Sequence, residues 1–232
     1  MGTAATGAAG APLIHMAQLH KTYGIDTPTP VRALTGIDLD IADGEFLSIV
    51  GPSGCGKSTL LALAAGLDQV SAGDVRSDGC SLVTLTEAAL ASYRATRVGI
   101  VFQSENLWPS LTAVENVGLS LALAGTAEPT QRAELALAEM GLAQRAEHRA
   151  SALSGGEQQR VAIAAALAKR APLILADEPT GELDTANQQV VLSALRRLPA
   201  EHDCAVVVVT HSGAVASAAD RVVELCDGRR VR

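Results

Sequence analysis

Apolar residues along the chain fall into short unbroken runs, alternating stretches and helically spaced sets, and each pattern predicts a different element. Phe46–Val50 (FLSIV), Val98–Phe102 (VGIVF), Leu173–Ala176 (LILA) and Ala205–Val209 (AVVVV) are compact apolar runs. Runs of this length predict buried strands. Val222–Leu225 predicts a last strand, Leu13–Leu19 a first one and Val75–Leu82 another short one. Leu34–Ile41 alternates apolar and polar residues like a half-exposed strand. Thr59–Leu63 has helix-forming character, and helical patterning covers Thr86–Arg94, Thr112–Leu123, Thr130–Leu142 and Glu157–Arg170. Thr84 and Glu87 are spaced for a capping box at the second of these helices. Strands interleaved with helices predict an α/β fold built on an open sheet.

Between these elements, Met1–Pro12 has no periodicity and reads as a flexible tail, and Ile25–Val31, with Pro28 and Pro30, reads as a loop. From about Glu87 to Ser154 the pattern turns from mixed strand and helix to helix alone. This shift predicts a helical subdomain inserted into one compact unit spanning residues 13–232.

Composition narrows the function classes. The 232 residues are 48% hydrophobic, ample for a core, and carry a net charge of −7 with no Lys or Arg before Lys21. With only five aromatics, neither a basic nucleic-acid face nor a base-stacking platform is expected. Cys55, Cys80, Cys204 and Cys226 are widely spaced, which points away from a zinc site or a disulfide framework and towards a reducing cytosol. The longest aliphatic stretches fall far short of the roughly 20 residues that cross a bilayer, so any membrane role is expected to come through a partner.

The candidate chemistry centres on Gly51 to Thr59, GPSGCGKST, which fits G-x-x-x-x-G-K-[ST] in the required context of strand, glycine loop and helix. Glycines let consecutive N–H groups converge on phosphate oxygens, Lys57 adds a cation for the β- and γ-phosphates, and the Ser58 hydroxyl suits Mg²⁺. The following helix points its partly positive end at the same anion. Leu153-Ser154-Gly155-Gly156-Glu157-Gln158 opens a second helix, with Ser154 as N-cap and bare glycine N–H groups that suit an anion or an ordinary cap.

Other candidates stand at strand ends. Asp177-Glu178 closes the LILA strand, and two adjacent carboxylates call for a cation such as nucleotide-bound Mg²⁺. Asp177 is suited to the metal shell and Glu178 to orienting and polarising a water. Gln103 ends the VGIVF strand, where it can reach a ligand or face solvent, and His211 stands just past the AVVVV strand, where it can face phosphate or cap. Tyr23 can stack on adenine or pack at a strand end. Cys55 lies beside Lys57, as filler or as a point where a bulky adduct blocks the loop.

Together these residues resemble the nucleotide-binding subunit of ABC (ATP-binding cassette) transporters over roughly Ile14 to Val231. Tyr23 resembles the adenine-stacking aromatic. Gly51, Pro52, Ser53, Gly54, Cys55, Gly56, Lys57, Ser58 and Thr59 resemble the Walker A loop, and Gln103 the Q-loop glutamine. Leu153–Gln158 resembles the signature, Leu173–Asp177 Walker B, Glu178 the catalytic glutamate, Gly181-Glu182-Leu183-Asp184 the D-loop and His211 the switch histidine. VGIVFQ, NLWPSLTAVENV, LSGGEQQRVAIA and LILADEPTGELD are similar to the subgroup that partners lipoprotein-releasing, macrolide-type and cell-division membrane subunits. Glu105, Trp108, Glu182 and Ala165 depart from that subgroup's usual Phe, Leu, Asn and Arg.

The resemblance implies a P-loop NTPase (RecA-like) core with an inserted α-helical subdomain and an N-terminal antiparallel β part. It implies ATP and Mg²⁺ as cofactors, with Ser58, Gln103 and Asp177 towards the metal and Glu178, Gln103 and His211 towards hydrolysis. Two copies would close head to tail over two ATP, each held between Walker A of one chain and Ser154, Gly155 and Gly156 of the other. The partners implied are a second cassette and an integral membrane permease at the cytoplasmic face of the membrane, with export or release of a lipophilic, lipoprotein or peptide-like cargo. A mechanical signal to an envelope regulator, and a soluble ABC ATPase of translation or DNA repair, are the competing readings.

Overall fold

The computed structural model describes residues 11–181 and 183–231. Most of the expected tail, Glu182 of the D-loop and Arg232 of the basic end therefore lie outside the described residues. Two sheets organise the rest. An antiparallel sheet pairs β1 (Ile14–Tyr23) with β2 (Val31–Ile41) and with β4 (Ala72–Ser77), which carries the two-residue β5 (Cys80–Ser81) at its edge. The larger sheet runs in the order β10 (Arg229–Arg230), β9 (Arg221–Cys226), β3 (Phe46–Val50), β8 (Ala205–Val209), β7 (Leu173–Asp177), β6 (Val98–Val101). All of its pairs are parallel except β10 with β9.

The apolar runs have a direct physical cause. Successive side chains of a strand face opposite ways, and here both faces are covered. Ile174 and Ala176 of β7, with Val206 and Val208 of β8, join one core cluster, while Leu173, Leu175, Ala205, Val207 and Val209 join the other. The second cluster is closed by the antiparallel sheet and by α1 (Lys57–Ala64). The first is closed by α3 (Ala113–Leu123), α4 (Pro129–Glu139), α5 (Gly155–Ala168) and α6 (Thr185–His202).

Several boundaries shift from the sequence reading. The segment expected as one strand over 75–82 is the β4–β5 hairpin, turned at Asp78-Gly79 with positive φ at both. The capping box expected at Thr84 and Glu87 does not form. Thr86 is the N-cap of α2 (Glu87–Arg97), accepting from the Ala89 amide at 3.3 Å, while the Thr84 hydroxyl donates to Ser81 O at 3.2 Å. Helix α2 runs straight into β6 of the large sheet, and from β6 to α5 the chain holds only helices and 3₁₀ turns. Helix α6 and the short α7 (Gly213–Ala218) have no counterpart in the sequence reading.

Candidate functional site

Because β3, β6, β7 and β8 are parallel neighbours in the sheet, their C-terminal ends share one edge, and the four loops that leave it carry the candidate residues. Gly51–Gly56 follows β3, Gln103 follows β6, Glu178 follows β7 and His211 follows β8. Gly56, Gln103, Glu178 and His211 line an open cleft of about 630 Å³ with Tyr23, Ser53, Gly54, Lys57, Ser58, Thr59 and Asp177.

The loop after β3 can be built only with glycine at two points. A Cβ on Gly51 would lie 2.2 Å from Leu225 O, and one on Gly56 would lie 2.4 Å from Ala33 O; both residues have positive φ, 151° and 101°. Gly56 is also the N-cap of α1 and brings no side-chain hydrogen bond, so no side chain claims the amides of the first turn. Lys57 is 9% exposed and folds back over the loop, its Nζ donating to Gly51 O at 2.8 Å and Pro52 O at 3.0 Å. Cys55 turns into the core, 3% exposed and 3.9 Å from Lys57 Nζ, and does not line the cleft.

Opposite this loop, burial holds the Asp177 carboxyl above the ordinary carboxylate range, against a hydrogen bond from Ser58; the Glu178 charge adds to the rise and the Lys57 charge opposes it. Glu178 takes left-handed backbone (φ 45°), a conformation that costs about 1–3 kcal/mol outside glycine. Its amide is fixed on Val209 O at 2.8 Å. Its carboxylate meets His211 twice, at 2.8 Å from Nδ1 and at 3.3 Å from the amide. Two carboxylates and the Ser58 hydroxyl form an all-oxygen set beside a phosphate-type loop, which fits Mg²⁺ carried on a nucleotide. Gln103 bridges this cleft to a neighbouring pocket lined by Glu105, Gly155, Gln158 and Leu183.

Ser154, Gly155 and Gly156 do not reach the cleft. Ser154 caps α5 through a reciprocal capping box with Glu157, whose carboxylate is held below its usual range by the Ser154 backbone amide, against burial, with help from the Ser154 hydroxyl and Arg145. Gly156 is buried against α6, where a Cβ would lie 2.5 Å from Asn187 Cγ. Asn187 in turn binds the α6 N-cap Asp184 at 2.9 Å and accepts from Arg160 at 3.1 Å. The sequence analysis gives Asn187 and Arg160 no role; an Asp before a polar helix start is the signal available for Asn187.

The strand, glycine loop, helix and paired carboxylates define a nucleoside-triphosphate-binding protein of the phosphate-loop class. The model of the ABC transporter family matches residues 34–181, more than half the chain. The chain belongs to the ABC transporter ATP-binding family. It is 49% identical over 197 residues to an uncharacterised ABC transporter ATP-binding protein of Mycobacterium tuberculosis strain CDC 1551, covering 84% of this chain and 59% of that one. The chain thus spans about three fifths of the first curated relatives it matches.

It is 45% identical over 221 residues to the lipoprotein-releasing system ATP-binding protein LolD of Geobacter metallireducens (94% of this chain, 98% of that one). To the macrolide export ATP-binding/permease protein MacB of Rhodopirellula baltica it is 43% identical (93% and 32%). These relatives belong to the lipoprotein-release and macrolide-export subgroup indicated by the sequence segments. A solved dimeric structure of the ATP-binding cassette MJ0796 in a post-hydrolysis state, bound to ADP and Pi, superposes with a TM-score of 0.88 at 40% identity over 94% of this chain and 97% of that one. The α/β phosphate-loop fold and its antiparallel N-terminal sheet are thereby established.

Proposed function

We propose that the chain binds MgATP in this cleft, hydrolyses it as a head-to-tail homodimer and drives a separate membrane permease from the cytoplasmic face. The observation that carries the reading is the split between the sites: Lys57, Gln103, Asp177, Glu178 and His211 converge within one chain, whereas Ser154–Gly156 sit on a helix start outside the cleft. A second copy would supply those glycine amides to the γ-phosphate. The dimeric form of the similar MJ0796 cassette supports this.

In the working site, the first-turn amides of α1 and the Lys57 ammonium hold the phosphates. Ser58, Asp177 and Gln103 would hold Mg²⁺, whose charge neutralises the phosphate oxygens. Glu178, its carboxylate steadied by His211, orients a water for attack on the γ-phosphate, a role worth about 10²–10⁴-fold in rate. Tyr23 presents its ring to the base.

The names of the similar LolD and MacB proteins support a permease partner and a lipoprotein or lipophilic cargo. No helix among the described residues is long and apolar enough to cross a membrane, so this reading assigns the crossing to that partner. The exposed apolar side chains of Trp108, Leu119 and Leu123 (64%, 37% and 72% exposed), which line a groove beside the Gln103 loop, support that groove as its contact surface. The test is a detergent pull-down from source membranes with the Glu178→Gln chain and MgATP. Recovery of a polytopic protein with a large extracytoplasmic domain is expected; recovery of only ribosomal or DNA-repair proteins would contradict the transporter reading.

A further inference from the structure

Tyr23 is the last residue of β1 and precedes the exposed loop of residues 24–30, a place where an aromatic side chain has little to hold it. Its ring is nonetheless fixed at two points. The hydroxyl donates to Asp68 Oδ2 at 2.9 Å, with Thr59 Oγ1 at 3.4 Å, and Lys21 Nζ stands 4.7 Å from the ring centroid. The same ammonium donates to Asp68 Oδ1 at 2.5 Å and to Gln69 O at 2.7 Å. Asp68 thus ties the hydroxyl and the ammonium together, and the Gln69 amide, donating at 2.7 Å, fixes Asp68 in turn.

We propose that Asp68 and Lys21 are positioning residues that clamp Tyr23 as the base-stacking wall of the cleft, and so set the affinity for the adenine end of the nucleotide. This rests on the reading of the cleft as an ATP site. Lys21 is 9% exposed and Tyr23 42%. One side of the ring is engaged by a buried cation, and what remains open faces the cleft that Tyr23 lines. Neither Lys21 nor Asp68 lines that cleft, so both act only through the tyrosine. A ring fixed before binding loses less freedom on stacking than a free one, which is the general gain from preorganisation. Burial alone would raise the Asp68 carboxyl; the hydrogen bonds from Lys21, the Gln69 amide and Tyr23 outweigh it and hold the group below the usual carboxylate range. The Asp68 side of the clamp is therefore ionised throughout the neutral range.

The test measures KM and kcat for ATP, and the inhibition constant of inorganic triphosphate, which has no base. It uses the unaltered chain, Asp68→Asn, Lys21→Met, Tyr23→Ala and the Asp68→Asn/Tyr23→Ala pair. Asp68→Asn and Lys21→Met are each expected to raise KM for ATP by about three- to tenfold, with a smaller change in kcat and no loss of triphosphate affinity. In the Tyr23→Ala background Asp68→Asn is expected to add nothing. Weaker triphosphate binding in step with ATP would overturn the clamp in favour of general loosening, as would an equal KM rise without Tyr23 or no KM rise in either single variant. Failure of the unaltered chain to bind either ATP or triphosphate would overturn the underlying ATP reading, and the clamp with it.

Discussion

Two helix starts flanked by glycine are built in opposite ways. Helix α1 begins at Gly56 with no side-chain cap, at the edge of a parallel sheet, with a buried lysine, two carboxylates, a glutamine and a histidine around it. Helix α5 begins at Ser154 with a complete capping box, exposed at Ser154 and Gly155, and outside the cleft. The first start holds its own site within one chain. The second has its capping needs met internally, and on the proposed reading it would gain a ligand only when another copy brings one. A site divided in that way would couple nucleotide binding to association.

Removing the acid at the first start has the largest expected effect. Glu178→Gln should lower turnover by about 10²–10⁴-fold while ATP binding, measured by isothermal titration, persists, because the phosphate loop and Ser58 are untouched. Normal turnover in that variant would remove Glu178 from its role.

Next in size is the loop itself. Gly56→Ala places a Cβ against Ala33 O and keeps a positive φ, so a destabilisation of about 2–4 kcal/mol is expected from strain and overpacking together, with loss of ATP binding; a urea melt checks the first and titration the second.

The α5 start should respond differently. Gly156→Ala meets the Asn187 side chain and is expected to cost about 1–3 kcal/mol. Gly155→Ala finds only Leu183 Cδ2, at 4.0 Å, and should leave the melting free energy of the single chain within about 1 kcal/mol while weakening ATP-driven association. Equal loss of association and of single-chain stability would erase the contrast between the two starts.

The smallest effect concerns Asp177. Its folded-state pKa is raised, so its deprotonation opposes folding, and the penalty is fully present above the raised value and disappears as the pH falls through it towards the ordinary carboxylate range. Asp177→Asn should therefore raise the melting temperature of the nucleotide-free chain at pH 7, with the gain shrinking on acidification, and lose the Mg²⁺ dependence of ATP binding.

Much of this was legible in the residues. Chemistry that depends on backbone amides needs glycines in fixed order, and a sheet buried on both faces needs unbroken apolar runs, so GPSGCGKST and the strands that lead to Gln103, Asp177 and His211 are readable directly. What stayed hidden depends on tertiary contact. Helix α6 opens with Thr185, Ala186, Asn187, Gln188 and Gln189 and contains Pro199, which obscure the helical spacing of Val191, Leu192, Leu195 and Leu198 that packs against α5 and β8. The Glu178–His211 contact joins residues 33 apart, and the Asp68–Tyr23 contact joins residues 45 apart. No local spacing encodes either pair. Cys55 sits in the phosphate loop by sequence yet faces the core, because the left-handed Gly54 and Gly56 on either side of it turn the chain.

The most direct measurement is the solution mass of the Glu178→Gln chain by light scattering, with and without MgATP, beside the Glu178→Gln/Gly155→Ala chain. A dimer that forms only with MgATP, and only when Gly155 is intact, is expected. A monomer under all conditions, or a dimer indifferent to both ATP and Gly155, would contradict the division of the site between two copies.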